Sequence, residues 1–218
     1  MKFTWERIEW KQLWFNIRFA DHFPRYDFAK KYCKDKIVVD IASGTGYGSY
    51  ELSKVAQKVI GIDIDGQSIE SAQKTYSNSN LEYRLGNWQK IDLPDESTDV
   101  VISFETIEHI IDYHEFMNEI KRILKPWWVL VLSTPNYIWE ISKNIYHVSN
   151  FTTIHLVDLF KKYYENFEIF YQWKHLFPFP WRGFLQVIWS WFGYKRDVII
   201  RPKKPNFEHH VTLIVAKK

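Results

Sequence analysis

The stretch Ile37-Val38-Val39-Asp40-Ile41-Ala42-Ser43-Gly44-Thr45-Gly46-Tyr47-Gly48, followed by Gly61-Ile62-Asp63-Ile64-Asp65, decides the fold. The apolar run before Asp40 reads as a parallel strand buried on both faces, and the small residues after it let a helix start close to a ligand. A second strand ends in a second acid, Asp63, about 20 residues later, which is nucleotide-binding spacing. A dinucleotide fingerprint requires glycine at the first, third and sixth positions of the turn. Counting from Gly44 gives Gly44, Gly46 and then Ser49, so the pattern fails at its last place. Asp40 argues the same way. A carboxylate just before the turn is poorly placed beside a pyrophosphate, but it can face an ammonium group directly or through water. The stretch therefore predicts a ligand with an adenosine, a cationic amino-acid tail and no phosphate, whose ribose hydroxyls donate to Asp63.

Working outward, Leu85-Gly86-Asn87-Trp88, Asp99-Val100-Val101-Ile102-Ser103, and Leu124-Lys125-Pro126 followed by Val129-Leu130-Val131-Leu132 come in a telling order. Together with the glycine turn they resemble the class I S-adenosylmethionine-dependent methyltransferases, over roughly residues 20–170 and the final strand. The resemblance implies an α/β fold: a Rossmann-like, seven-stranded, mostly parallel sheet with an antiparallel last strand and helices on both faces. It implies S-adenosylmethionine as cofactor, held by Arg25, Asp40, Ala42, Gly44, Gly46, Asp63, Ile64, Asn87, Trp88 and Phe104. Arg25 enters through His22-Phe23-Pro24-Arg25-Tyr26, which resembles a segment lying near the cofactor's carboxylate in some sugar- and lipid-pathway methyltransferases. A surface ion pair is the alternative for Arg25. Two departures stand out. Asn87 replaces an acid over the adenine, although its carbonyl oxygen can still accept from the adenine amino group. Trp127-Trp128 replaces a glycine pair before the fifth strand, so that turn is built differently or the tryptophans cover a neighbouring surface.

With 218 residues and no Pro-, Gly- or Ser-rich linker, a single domain over 1–218 is expected. It comprises a cap helix within 1–32, helices over 66–77 and 115–125, and an insertion at 172–209 between the last two strands. Phe116, Ile120, Ile123 and Leu124 share one helical face. The single cysteine, Cys33, excludes an intramolecular disulfide framework and suits a reducing compartment. Charges interrupt the apolar residues of the amino terminus, so neither a signal peptide nor a membrane span is expected, and the cytoplasm is the default location. A net charge of +3 does not by itself imply nucleic acid. The insertion is dense in aromatics, among them Trp173, Phe177, Trp181, Trp189 and Trp191, and it precedes a basic cluster from Lys195 to Lys204. Such side chains must pack on the domain, a second copy in a homodimer, a bilayer interface in a peripheral membrane enzyme, or a large substrate.

Glu105-Thr106-Ile107-Glu108-His109 follows the fourth strand. On a helix, Glu105, Glu108 and His109 would share a face. Two carboxylates and an imidazole suit Mg²⁺ or Mn²⁺. The pattern resembles the metal-binding motif of ubiquinone-pathway O-methyltransferases and of enzymes that methylate the ribose 2′-hydroxyl of small RNAs. In the latter a further histidine completes the site, and His147 stands at about the corresponding place. The resemblance thus implies Glu105, Glu108, His109 and His147 as metal ligands; an ordering role or direct substrate contact is the alternative. Without metal, His109 or His147 is the candidate general base. The expected reaction is O-methylation of a hydroxylated small molecule or glycan. RNA ribose methylation, or a cofactor-binding protein that has lost turnover, are the other readings.

Overall fold

The computed structural model describes residues 17–137, 146–172, 200–201 and 211–217. The elements run α1 (Ile17–Cys33), β1 (Ile37–Ile41), α2 (Tyr47–Ser53), β2 (Lys58–Asp63), α3 (Gly66–Thr75), β3 (Leu81–Leu85) and β4 (Thr98–Phe104). They continue with a 3-10 turn (Ile107–His109), α4 (Tyr113–Ile123), β5 (Leu124–Pro135), α5 (Thr153–Tyr163), β6 (Phe167–Gln172), β7 (Ile200–Arg201) and β8 (Val211–Lys217). The sheet order is β3-β2-β1-β4-β5-β8-β6-β7. β1 to β5 are mutually parallel, whereas β8 lies antiparallel between β5 and β6. This is the expected seven-stranded sheet, extended at its edge by the two-residue β7 on β6. The order reverses between β1 and β4, so the glycine turn after β1 opens at the crevice where ligands of such sheets bind.

Alternation along β1 explains its composition. Val39 and Ile41 join one buried cluster with Phe116, Ile120 and Leu156 of α4 and α5. Val38 joins the other, with Tyr26 and Ala29 of α1, Leu52 of α2 and Ala72 of α3. Asp40 shares the face of Val38, and that places a carboxylate in the layer beneath α1 and α2. Helix starts follow their caps: Asp65, Asp112 and Thr152 accept from the backbone N–H groups of Ser68, Glu115 and His155.

Three boundaries differ from the sequence reading. α3 ends at Thr75, and Tyr76 turns extended to pack 5.3 Å from the Tyr50 ring. α4 ends at Ile123, so Leu124 belongs to β5 rather than to the helix face. Pro126 accounts for this, since it lacks an N–H and disfavours helical geometry at Lys125. The tryptophan pair lies within β5: from Leu124 to Val129 that strand advances five residues while β4 advances two. A bulge thus replaces the glycine turn, with Trp127 exposed and Trp128 packed 4.8 Å from the ring of Tyr164. The first half of the expected cap helix and most of the aromatic insertion lie outside the described residues, so packing, dimer and bilayer roles for the insertion stay expectations. No helix among the described residues is long and apolar enough to cross a membrane.

Tyr26 of α1 also fixes the start of α2. A Cβ added to Gly48 would stand 2.0 Å from Tyr26 Cζ, inside the ring's van der Waals surface. The tyrosine cannot yield easily, because it stacks edge-on against Tyr47 and Phe104 at 5.4 and 5.0 Å. Gly48→Ala is expected to lower stability by about 2 kcal/mol through overpacking, measured by urea denaturation.

Candidate active site

The turn after β1 takes left-handed backbone at Ala42 (φ 60°), Gly44 (φ 55°) and Gly46 (φ 87°). Gly46 is obligatory on two counts. Its φ suits glycine, and a Cβ there would lie 2.6 Å from Ala72 Cβ and 2.7 Å from the Tyr83 ring. Tyr83 Oη donates to the Gly46 carbonyl at 2.7 Å, which locks the turn onto β3. Asp63 ends β2 half-buried; its Oδ2 accepts from the Gly44 N–H at 2.7 Å and its Oδ1 from the Asp65 N–H at 2.9 Å. Each oxygen keeps a further lone pair for a hydroxyl donor. Flanking Asp63, Ile64 and Leu85 are 68% and 65% exposed, unusual for large aliphatics at the ends of buried strands. Beside them Ser43 Oγ is buried with no hydrogen-bond partner among the described residues. Two apolar faces, a carboxylate and a glycine-lined cradle fit an adenosine.

Several expected cofactor contacts are placed otherwise. Asp40 does not open onto the crevice. It is fully buried, and its Oδ2 accepts from Ser49 Oγ at 2.6 Å while Tyr26 Oη lies 3.3 Å from both oxygens. Alternation dictates this, because the face of β1 that carries Asp40 is covered by α1 and α2. Burial pushes its carboxyl up to about 7, against the lowering effect of the Ser49 and Tyr26 hydrogen bonds. Arg25 is not a surface group either. It is 1% exposed, donates from Nε to Gln172 Oε1 at 2.6 Å, and pairs through Nη1 with Glu105 Oε1 at 3.0 Å, a contact without hydrogen-bond geometry. Phe104 is buried against Tyr26, and Trp88 packs edge-on to Phe116 at 6.0 Å. Asn87 is engaged with Gln89, donating to its Oε1 at 2.8 Å and accepting from its N–H at 3.1 Å. The loop beyond it is anchored to α4, since Arg122 donates to the carbonyls of Ile91 and Leu93 and Glu119 accepts from the Ile91 N–H.

The segment after β4 is not a helix through Glu105. Glu105 adopts φ 54°, and only Ile107–His109 form a 3-10 turn. The reversal sends the Glu105 side chain towards Arg25 and Ser133, whose Oγ donates to it at 3.1 Å. Glu105 therefore leaves the expected ligand set. Glu108, His109 and His147 do converge, with one potential ligand atom from each lying within 4.8 Å of the others. Glu108 is buried; Thr134 Oγ1 donates to its Oε2 at 2.9 Å, while Oε1 has no hydrogen-bond partner among the described residues. Burial, then the charge of Glu105, pushes the Glu108 carboxyl well above its ordinary range. His109 Nδ1 stands 3.1 Å from the Tyr146 carbonyl oxygen. A carbonyl only accepts, so Nδ1 carries a proton, and in the neutral ring Nε2 presents the lone pair. The His147 ring meets that of His109 edge-on at 4.8 Å. Sequence reasoning assigned no role to Tyr26, Ser49, Gln172, Thr134 or Tyr146; Ser49 left a trace as the place where the dinucleotide fingerprint breaks, and Tyr26 as the last residue of the His22–Tyr26 segment.

A parallel order that reverses between β1 and β4, with a glycine cradle at the switch point, is the architecture of nucleotide-binding α/β sheets. Residues 39–132, from β1 into β5, match the family model described as a methyltransferase domain. A protein of Mycolicibacterium smegmatis named as a probable S-adenosylmethionine-dependent methyltransferase is 36% identical over 123 residues, 56% of this chain and 47% of that one. A ubiquinone biosynthesis O-methyltransferase of Bradyrhizobium diazoefficiens is 34% identical over 105 residues, 47% of this chain and 41% of its own length. The match thus spans less than half of either curated relative. The crystal structure of a SAM-dependent methyltransferase from Aquifex aeolicus superposes with a TM-score of 0.66 at 16% identity, covering 99% of this chain and 98% of that one. That likeness is one of fold.

Proposed function

We propose that this chain transfers the methyl group of S-adenosylmethionine to a hydroxyl of a small molecule or glycan. The observation that carries the reading is the convergence of Glu108, His109 and His147 at the carboxyl edge of β4 and β5, beside the cofactor cradle. The relative named as an O-methyltransferase supports it. When bound, the cofactor supplies a methyl group on a positively charged sulfur. What remains for the chain is to hold the ribose at Asp63, seat the adenosine between Ile64 and Leu85, align the acceptor and take its proton. His109 suits the last task, because its Tyr146 contact fixes the ring and leaves Nε2 as the basic atom.

The same three side chains fit a divalent ion. The buried Glu108 Oε1 has no hydrogen-bond partner among the described residues, and the donor set is one carboxylate and two imidazoles. Such a set favours Mn²⁺ or another transition ion over Mg²⁺, which prefers oxygen. When bound, the ion would orient adjacent hydroxyls and lower the pKa of one. The test is incubation with methyl-labelled S-adenosylmethionine and cell extract, followed by fractionation into small-molecule, glycan, lipid and RNA pools, with and without a chelator. Label is expected in the small-molecule or glycan pool, as a base-stable ether, and chelation is expected to reduce it at least about tenfold. Label confined to RNA would overturn the acceptor class; undiminished labelling after complete chelation would overturn the metal.

A further inference from the structure

Beside the Glu108–His109–His147 cluster, a cavity of about 430 Å³ opens between the first turn of α4, the segment 149–151 and one face of α5. This is within the size range of ligand sites. Its apolar wall is Tyr113, Phe151 and Leu159, with the two rings edge-to-face at 5.4 Å. Its polar rim is His114, Asn150, His155 and Lys162, with Asp158 among them. Asp158 is already paired with Lys161 at 3.1 Å, whereas Lys162 forms no ion pair among the described residues. His155 stands in the first turn of α5, where the helix end favours negative charge. His114 Nδ1 already stands 2.8 Å from Tyr163 Oη, so the rim offers the Asn150 amide, the His155 imidazole and the Lys162 ammonium beside an aromatic face, which suits the C–H face of a sugar that bears an anionic group.

The cavity is built into the same unit as the cluster. Val148 and Ser149 donate their N–H groups to the Glu108 carbonyl at 2.9 and 3.0 Å, and Ser149 Oγ donates to the Ile110 carbonyl at 2.9 Å. His147 and Asn150 are three residues apart, a span of at most about 11 Å of chain. One acceptor of roughly disaccharide length can therefore occupy the cavity and present a hydroxyl to His109. Resting on the proposed transfer to a hydroxyl, we propose that the cavity is the distal acceptor subsite and binds an anionic sugar unit, either a sugar acid or a sugar phosphate.

Binding is read separately from turnover. The protein, saturated with S-adenosylhomocysteine, is titrated with glucuronate, glucose 6-phosphate, glucose, inorganic phosphate and a short oligoribonucleotide, while the imidazole NMR signals of His114 and His155 are followed. Glucuronate and glucose 6-phosphate are expected to shift both signals at concentrations about tenfold below those glucose requires. Lys162→Gln is expected to remove that advantage and leave cofactor affinity unchanged. Phosphate acting as strongly as glucose 6-phosphate would overturn the sugar, and glucose acting as strongly as either charged sugar would overturn the anionic group. Tighter binding of the oligoribonucleotide would overturn the acceptor class, and silence from every probe would overturn the subsite. Sugar binding without any hydroxyl methylation would leave the subsite standing and sink the proposed reaction instead.

Discussion

His109→Gln is expected to reduce methyl transfer about 10³-fold while leaving the cofactor dissociation constant within about twofold. The size follows from what the imidazole does. A positioned general base contributes about 10²–10⁴ in rate, and a metal ligand removed from a three-ligand set costs a comparable factor. The selectivity follows from geometry, since His109 lies after β4, whereas the cradle at Gly44, Gly46 and Asp63 is built at the ends of β1 and β2. Glutamine retains a group able to reach the Tyr146 carbonyl but offers no basic nitrogen. The two roles separate further. As a base, His109→Ala should recover part of its activity with added imidazole, whereas as a ligand it should recover with excess Mn²⁺. Turnover within a few-fold of the parent would remove His109 from the chemistry. Steady-state kinetics beside calorimetric cofactor titration decides it.

The sequence carried β1, β2, β4 and β5, because each contains an apolar run and a strand buried on both faces leaves such a run unbroken, whereas β3, Leu81-Glu82-Tyr83-Arg84-Leu85, has no such run. It carried the convergence of Glu108, His109 and His147 only through a resemblance. The failure at Glu105 is instructive: helical spacing assumes helical backbone, and one residue at φ 54° sends the carboxylate to the other side. Nothing local marks that reversal. Arg25 illustrates a second limit. Its partner Gln172 lies 147 residues away across the sheet, and no periodicity records such a pairing. Asp40 and Ser49 show a third. Both were legible as residues of the glycine turn, but their mutual hydrogen bond requires knowing that β1 turns Asp40 inwards. The distal cavity did leave a signal, since His155, Asp158, Leu159 and Lys162 fall at helical spacing on one face of α5. A mixed polar and apolar face of that kind reads as solvated surface until α4 and the 149–151 segment are seen to wall it.

The protein without cofactor is expected to lose stability as pH rises from about 4 to about 7, and Asp40→Asn to abolish that part of the loss. Asp40 is fully buried, and burial is the largest influence on its carboxyl, raising it from the ordinary 3.8 to about 7; the negative charge of Asp63 adds to the rise. The sign is set by comparing states. Between those two values the folded chain keeps a proton on Asp40 that the unfolded chain has released, so raising the pH draws the equilibrium towards unfolding. The contribution is complete below 3.8 and gone above about 7, and its size is on the order of 4 kcal/mol. The neighbouring hydroxyls and thiol do not share the window. Burial holds the Tyr26, Tyr47 and Tyr83 hydroxyls and the Cys33 thiol neutral throughout it. Glu108 is also raised and contributes the same sign, so the comparison with Asp40→Asn is what isolates Asp40. The amide keeps a carbonyl oxygen for the Ser49 hydroxyl and carries no charge to desolvate. At pH 8 Asp40→Asn is therefore expected to be the more stable protein, and at pH 4 the two should be equal. Urea denaturation across pH 4 to 8 measures both. Parallel stability curves would mean that Asp40 is ionised in the folded protein and that the crevice supplies it with solvent or a cation.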